Sequence, residues 1–361
     1  MRKSRVWLVL VSLMLTAALV LAGCNNNSKS PQEALQSAMK KSAELKSYSF
    51  SGSMKIEELT MPIEGDAARA GVVFSMLKDA DLSWKGAYRA DPMHMEMTLS
   101  LALQGDMAIN FNMPIVLKSD KMWIRIPNIP FLPLPESIAG KFLELDMKQM
   151  AEESGQPMPN IDPGKSQKFA NDLMGIIFKN IDEEEYLSDV KVKDAGLPDG
   201  VDAKQVVRFH IGKNQVEPLV NTLIEKIVPE IIKLLSDNAE YRDMLNLKPE
   251  DLEEAKQALE EANQEDISEG MEEFNKAVQS LDITANIGID ANEYPVYSDV
   301  HVNASIDADG QPVTFAFKVV SQTSDINKDV ALEYENGPAD AITMDELQEQ
   351  LGGLFGGIEG L

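Results

Sequence analysis

The chain has 361 residues, with 33 lysines and arginines against 59 aspartates and glutamates, a formal net charge of −26. Such a surface repels phosphate backbones and argues against nucleic acid as a partner. A single cysteine excludes both a disulfide framework and a thiolate zinc site within the chain.

The N-terminus has the order of an export signal. Arg2, Lys3 and Arg5 are basic, Val6 to Leu21 is almost wholly apolar, and small residues come next. The apolar run is short of the roughly 20 residues that a spanning helix needs. Leu21-Ala22-Gly23-Cys24 resembles the lipobox of bacterial lipoproteins. That resemblance implies a diacylglyceryl group on Cys24 and cleavage before it. Residues 1–23 are then the signal peptide and 24–30 a polar tether, the low-complexity stretch Asn25 to Ser30 being its flexible part. The mature chain keeps 30 basic and 59 acidic residues and so has a net charge of −29. Two acyl chains suffice for stable anchoring.

Pro31 to Leu45 reads as a helix. Ala34, Leu35, Ala38, Met39, Ser42 and Leu45 recur at helical spacing, and Ser30-Pro31 suits the cap and first turn. A strand comes next, with Tyr48, Phe50, Met54 and Ile56 on one side and serines and Lys55 on the other. Residues 72–84 read as further strand. Met93, Met95, Met97, Leu99, Leu101 and Leu103 then alternate with polar residues, as do Met107, Ile109, Phe111, Met113, Ile115 and Leu117. Around Gly105-Asp106 these make an antiparallel hairpin with one apolar and one polar face.

Lys121 to Ile126 is the next strand. The segment 127–140 holds four prolines among Ile129, Phe131, Leu132 and Leu134, which excludes helix and central strand and predicts a buried apolar loop. Residues 141–147 are extended, 151–164 a Pro/Gly-rich linker, and Gln167 to Asn180 a helix. Residues 188–211 read as a hairpin. Val216 to Leu235 is an amphipathic helix whose stripe includes Leu219, Leu223 and Ile227, with a kink expected at Pro229. Pro249 to Ser280 is a second, acidic helical stretch. Strands return with Leu281 to Ile289, Val300 to Ile306 and Val313 to Val319, and Val330, Leu332 and Tyr334 close the sheet. Residues 341–361 are an acidic, glycine-rich tail.

Several features carry a family resemblance: the lipidated cysteine and tether, the short helix, "KSYSFSGSMKI" opening the sheet, and "SQTSDINKDVALEYENG" closing it. The chain resembles the LolA/LolB-like lipoprotein-carrier superfamily, which includes the mycobacterial lipoproteins LppX and LprG. The resemblance implies a strongly curved antiparallel half-barrel with helices in its concave face and a cavity for acyl chains. The 215–280 insertion departs from the small carriers.

No catalytic constellation stands out. His94, His210 and His301 sit singly on polar strand faces and read as exposed. "PGKS" (163–166) lacks the first glycine of a phosphate loop, since Pro159 stands there. "SIDADG" (305–310) has Ser305 and Ala316 where a calcium loop needs ligands, so a hairpin turn is expected. No cofactor and no metal site is expected.

The fold expected is therefore α+β: a strongly curved antiparallel sheet spanning 31–340, with helices on its concave face and a helical insertion at about 215–280. The function expected is a non-enzymatic lipoprotein on the outer face of a cytoplasmic membrane, as in Gram-positive bacteria. It binds lipid or another apolar ligand. The candidate lining residues are Tyr48, Phe50, Met54, Met93, Met95, Met97, Leu99, Leu101, Met107, Ile109, Phe111, Phe315 and Phe317. The candidate lid is Ile129, Phe131, Leu132, Leu134, Leu219, Leu223 and Ile227. Methionine suits a pocket for varied chains. The alternative is an interaction or sensing module with a filled core, whose partner is another envelope protein.

Overall fold

A computed structural model of the chain describes residues 29–60, 80–103, 109–128, 134–135, 137–154, 163–261, 264–308 and 310–355. Helix α1 (Pro31–Ser42) precedes strands β1 (Ser47–Thr60), β2 (Asp81–Ala90), β3 (Met93–Leu103), β4 (Ile109–Lys118), β5 (Lys121–Arg125) and β6 (Phe142–Asp146). Helices α2 (Met147–Ser154), α3 (Pro163–Asn180) and the single turn α4 (Glu183–Tyr186) lead to β7 (Leu187–Val190) and β8 (Gln205–Gly212). The helical insertion comprises α5 (Val216–Thr222), a π turn (Leu223–Ile227), α6 (Val228–Asp237), α7 (Ala239–Leu245), α8 (Pro249–Glu261) and α9 (Gln264–Ala277). Strands β9 (Val278–Ile289), β10 (Pro295–Ala308), β11 (Gln311–Ser324) and β12 (Ala341–Ile342) come after it, then α10 (Met344–Phe355).

The twelve described strands form one sheet in the order β12-β6-β5-β4-β3-β2-β1-β11-β10-β9-β8-β7. Strand β1 joins the two halves: it pairs with β2 on one side and with β11 on the other. Antiparallel pairing of strands consecutive in the chain builds each half outward, from β2 to β6 and from β11 back to β7. The sheet is open, with β12 and β7 as its edges, so the fold is α+β around an unclosed sheet. It is mixed rather than wholly antiparallel, because β12 pairs with β6 in parallel.

The capping signals act as read. Ser30 and Glu33 form a reciprocal capping box and Pro31 occupies the first turn. Small residues on α1 let it sit close to the sheet: Ala34, Leu35 and Ala38 are buried with Leu187, Val207, Ile289 and Phe178. A second cluster lies in the helical layer, where Leu235, Tyr241 and Leu252 pack with Phe169. The Tyr241 hydroxyl donates to Asp172 at 2.5 Å, and burial together with that carboxylate pushes it up to about 12.

Several segments differ from expectation. Residues 330–334 are not a strand. Asp325 (φ 51°), Asn327 (φ 57°) and Gly337 (φ 82°) adopt left-handed conformations that break an extended ladder, and 325–340 crosses the sheet as a strap. The closing strand is β12 instead. Residues 147–154, partly read as linker, are helical, and so are 344–355, read as tail, despite two glycines. The acidic stretch from Pro249 is two helices. Strand β2 begins at Asp81, and residues 72–79 lie outside the described residues. At 223–227 the expected kink takes the form of a π turn. Val228 donates to the Leu223 carbonyl, and Pro229, which has no N–H to give, falls in the first turn of α6.

Candidate functional site

Cross-strand pairing assembles one apolar face over most of the sheet, because directly paired residues project to the same side. Phe50 pairs with Gly86, Gly86 with Met97 and Met97 with Ile115. Met54, Leu82, Leu101 and Phe111 form a second row, and Tyr48, Tyr88, Met95 and Leu117 a third. Beyond β1, Ile56 pairs with Phe317 and Phe317 with Val302. A bulge between Ile56 and Glu58 places Leu59, rather than Glu58, opposite Phe315 and on this face.

Two glycines shape its floor. A Cβ on Gly52 would come within 2.4 Å of the Trp84 indole, and one on Gly86 within 2.7 Å of the Phe50 ring. Each aromatic ring therefore lies down across the strand opposite, covering backbone that has no side chain of its own. Tyr48 extends this floor, 5.2 Å from Tyr88 and 6.0 Å from Phe50 between centroids. Burial, with Tyr88 beside it, raises the Tyr48 hydroxyl pKa.

The two faces of β1–β6 differ in burial. The candidate lining residues with described side chains are Tyr48, Phe50, Met54, Met93, Met95, Met97, Leu99, Leu101, Phe111, Phe315 and Phe317. All of them are half-buried and share the apolar face. Every buried residue of β1–β6 projects to the opposite face: Ala87, His94, Val116, Trp123 and Phe142. The principal helix–sheet contacts fall on β6 and on β7–β10. Met107 lies outside the described residues, and of Ile109 only the backbone is described.

The opposite face is covered by the strap. Tyr334 packs on Phe142 at 5.2 Å, and Gly337 sits against the Trp123 indole. Glu96 accepts the backbone N–H groups of Glu333 and Tyr334, both at 2.7 Å. Arg89 donates to both carboxylate oxygens of Glu335 at 2.9 Å, and Lys118 donates to the Glu335 carbonyl. His94 lies under this clasp. It is only 2% exposed, correcting the expectation of an exposed strand histidine. Its Nε2 is 3.0 Å from Glu96 but is not aligned for a hydrogen bond. Burial holds its pKa below the ordinary histidine value, outweighing the attraction of Glu96. His210 and His301 are partly exposed beside Asp282 and Glu57.

The lid residues divide. Ile129, Phe131 and Leu132 lie outside the described residues, and Leu134 is half-buried. Leu219 is half-buried, Leu223 is 38% exposed and Ile227 is 2% exposed. They do not form the single stripe expected. The π turn adds one residue, rotating the N-terminal part of the stripe by about 100° relative to the C-terminal part. Leu21, Ala22, Gly23 and Cys24 also lie outside the described residues.

Among the described residues no group of three or more His, Cys, Asp or Glu side chains is placed to hold a metal. Asp307 and Gly310 lie at the β10–β11 connection, where Ala308 pairs with Gln311 and the Gly310 N–H donates to Asp307 at 2.6 Å. No described helix is long and apolar enough to cross a membrane. The clasp residues Glu96, Arg89 and Glu335 and the Trp84–Gly52 pair escaped the sequence reading. A glycine at an apolar position of an alternating strand, with an aromatic on the next strand, is the signal that marks the latter. Comparison with protein-family models and with curated proteins found no match.

Proposed function

We propose that the apolar sheet face binds acyl chains or other apolar ligands, in a non-enzymatic carrier or binder tethered outside a cytoplasmic membrane through lipid on Cys24. In this reading the sheet curves into a half-barrel with the apolar face inside and the helical layer along its mouth. In the LolA-like carriers that the sequence resembles, the helices lie in the concave face of such a half-barrel. One observation carries the proposal: the eleven apolar lining side chains are all half-buried, while the buried residues of the same strands face the other way. A sheet face that completed an ordinary core would bury its central side chains. An apolar face of this extent left partly open is a surface for a ligand or a partner. Each methylene buried there contributes about 0.8 kcal/mol, so chain length rather than headgroup chemistry dominates affinity. The adaptable side chains of Met93, Met95 and Met97 suit chains of differing shape.

The test is native mass spectrometry of the mature chain carrying Cys24→Ser, followed by organic extraction. Co-purified lipid near one equivalent is the expected result. A clean apo mass, unchanged after incubation with membrane lipids, overturns the ligand reading and turns attention to a protein partner on the same face.

A further inference from the structure

We infer that the cleft beside the start of α1 is a binding site for the phosphate headgroups of an anionic bilayer. The inference rests on the anchoring of Cys24 proposed above and not on the ligand assigned to the apolar face.

The cleft encloses about 940 Å³ between the start of α1, the β7–β8 edge and the β9–β10 turn. Lys29, Lys191, Lys193 and Lys204 line it, in a chain whose net charge is −26. Three carboxylates line it too, and each is engaged by the protein. Glu293 pairs with Lys29 at 2.5 Å, which holds its carboxyl below the usual range. Asp290 accepts the N–H groups of Asn292 and Tyr294, both at 2.8 Å. Asp189 accepts from the Gln205 side-chain amide at 2.8 Å. Lys191, Lys193 and Lys204 line the cleft with exposed side chains, Lys204 acting on Glu293 through space. Three ammonium groups on one cleft therefore face solvent, within reach of an outside anion. Remote carboxylates act weakly there, because salt screens exposed charges beyond about 10 Å.

Two further observations select a bilayer as the source of that anion. Cys24 stands five residues before Lys29, a span of at most about 18 Å even when fully extended. A chain anchored at Cys24 thus holds this end of the domain against its own membrane. In addition, Val192 is 37% exposed between Lys191 and Lys193. An apolar side chain flanked by cations suits the boundary between headgroups and acyl chains. Docking here also orients the domain, fixing which part of the apolar face looks toward the lipid.

The experiment uses the mature chain carrying Cys24→Ser, which cannot be acylated. It is sedimented with phosphatidylcholine vesicles and with phosphatidylcholine–phosphatidylglycerol vesicles. Binding only to the anionic vesicles, weakened by salt, is expected. K191Q/K193Q/K204Q weakens it about 100-fold, at roughly a factor of five per lysine, and K256Q/K276Q leaves it unchanged. The triple variant is compared with the parent by circular dichroism, since exposed lysines should not affect folding. No preference for anionic vesicles, or equal loss in K256Q/K276Q, overturns the inference. So does binding of inorganic phosphate or soluble glycerophosphate without vesicle binding, which makes the cleft a small-anion site. Failure of the anchoring reading is seen separately, as acylatable wild-type protein that does not remain with the membrane fraction.

Discussion

The indole of Trp84 lies directly over Gly52, its paired neighbour across β1 and β2. A methyl group at Gly52 would meet the ring at 2.4 Å and the Val320 carbonyl oxygen at 2.5 Å. The ring can swing away but the carbonyl cannot. Gly52→Ala is therefore expected to destabilise the protein by about 1–3 kcal/mol and to change Trp84 fluorescence. Gly86→Ala should cost more, because its nearest obstacle is the Glu96 carbonyl at 2.1 Å, within the β2–β3 ladder. Denaturant midpoints rank the two, and an unchanged midpoint for Gly86→Ala refutes the packing described.

Polar substitution should separate the two sheet faces. Met97 is half-buried on the apolar face and Val116 is fully buried on the other. Val116→Asp strands a carboxylate without a partner and is expected to cost about 3–5 kcal/mol. Met97→Asp can hydrate its charge at the open face and should lower the melting temperature much less. It should nevertheless abolish co-purification of lipid. Thermal melts and mass spectrometry of the two variants check this, and equal destabilisation means that the apolar face is closed.

Glu96 is the pin that holds the strap. Its two oxygens each accept a backbone N–H, from Glu333 and from Tyr334. Glu96→Ala leaves both donors without partners and is expected to cost about 1–3 kcal/mol. Amide hydrogen exchange at Glu333 and Tyr334 should accelerate while β9 and β10 stay protected. Arg89→Ala removes a pair whose Glu335 partner is half-exposed, and should have a much smaller effect.

His94 makes the clasp sensitive to acid. Arg89, Glu96, Lys118 and Glu335 all act on it, but burial dominates and its folded pKa is lowered. A histidine whose folded pKa lies below its unfolded value binds fewer protons in the folded state. Its contribution is full above the ordinary value of about 6.5 and is lost as pH falls through the lowered value. Stability should therefore drop as pH falls below about 6.5 in the wild type, and less in His94→Asn. The Glu335 and Glu144 carboxylates, held low by Arg89 and Lys121, act at more acid pH in both proteins. Denaturation midpoints across this range check it, and parallel pH profiles count against a buried neutral His94.

Strand identity and facing were legible in the sequence because they are local. A residue's side of the sheet is set by the period of two, so Met93 to Leu101 and Phe111 share a face whatever they pack against. The cap at Ser30 and the stripe Ala34–Leu35–Ala38 are equally local. Which face becomes the core is not a local matter. It depends on the strap, whose Tyr334 meets Glu96 across 238 positions of chain. Nothing in the alternation around His94 signals that a distant segment will bury it. The same limit applied to the stripe at 216–235, because one π turn rotates its two halves apart. Alternation and capping thus determined which elements form and which side chains share a face. Only the tertiary structure decided which face is covered and which stays open, since burial there depends on segments hundreds of residues away.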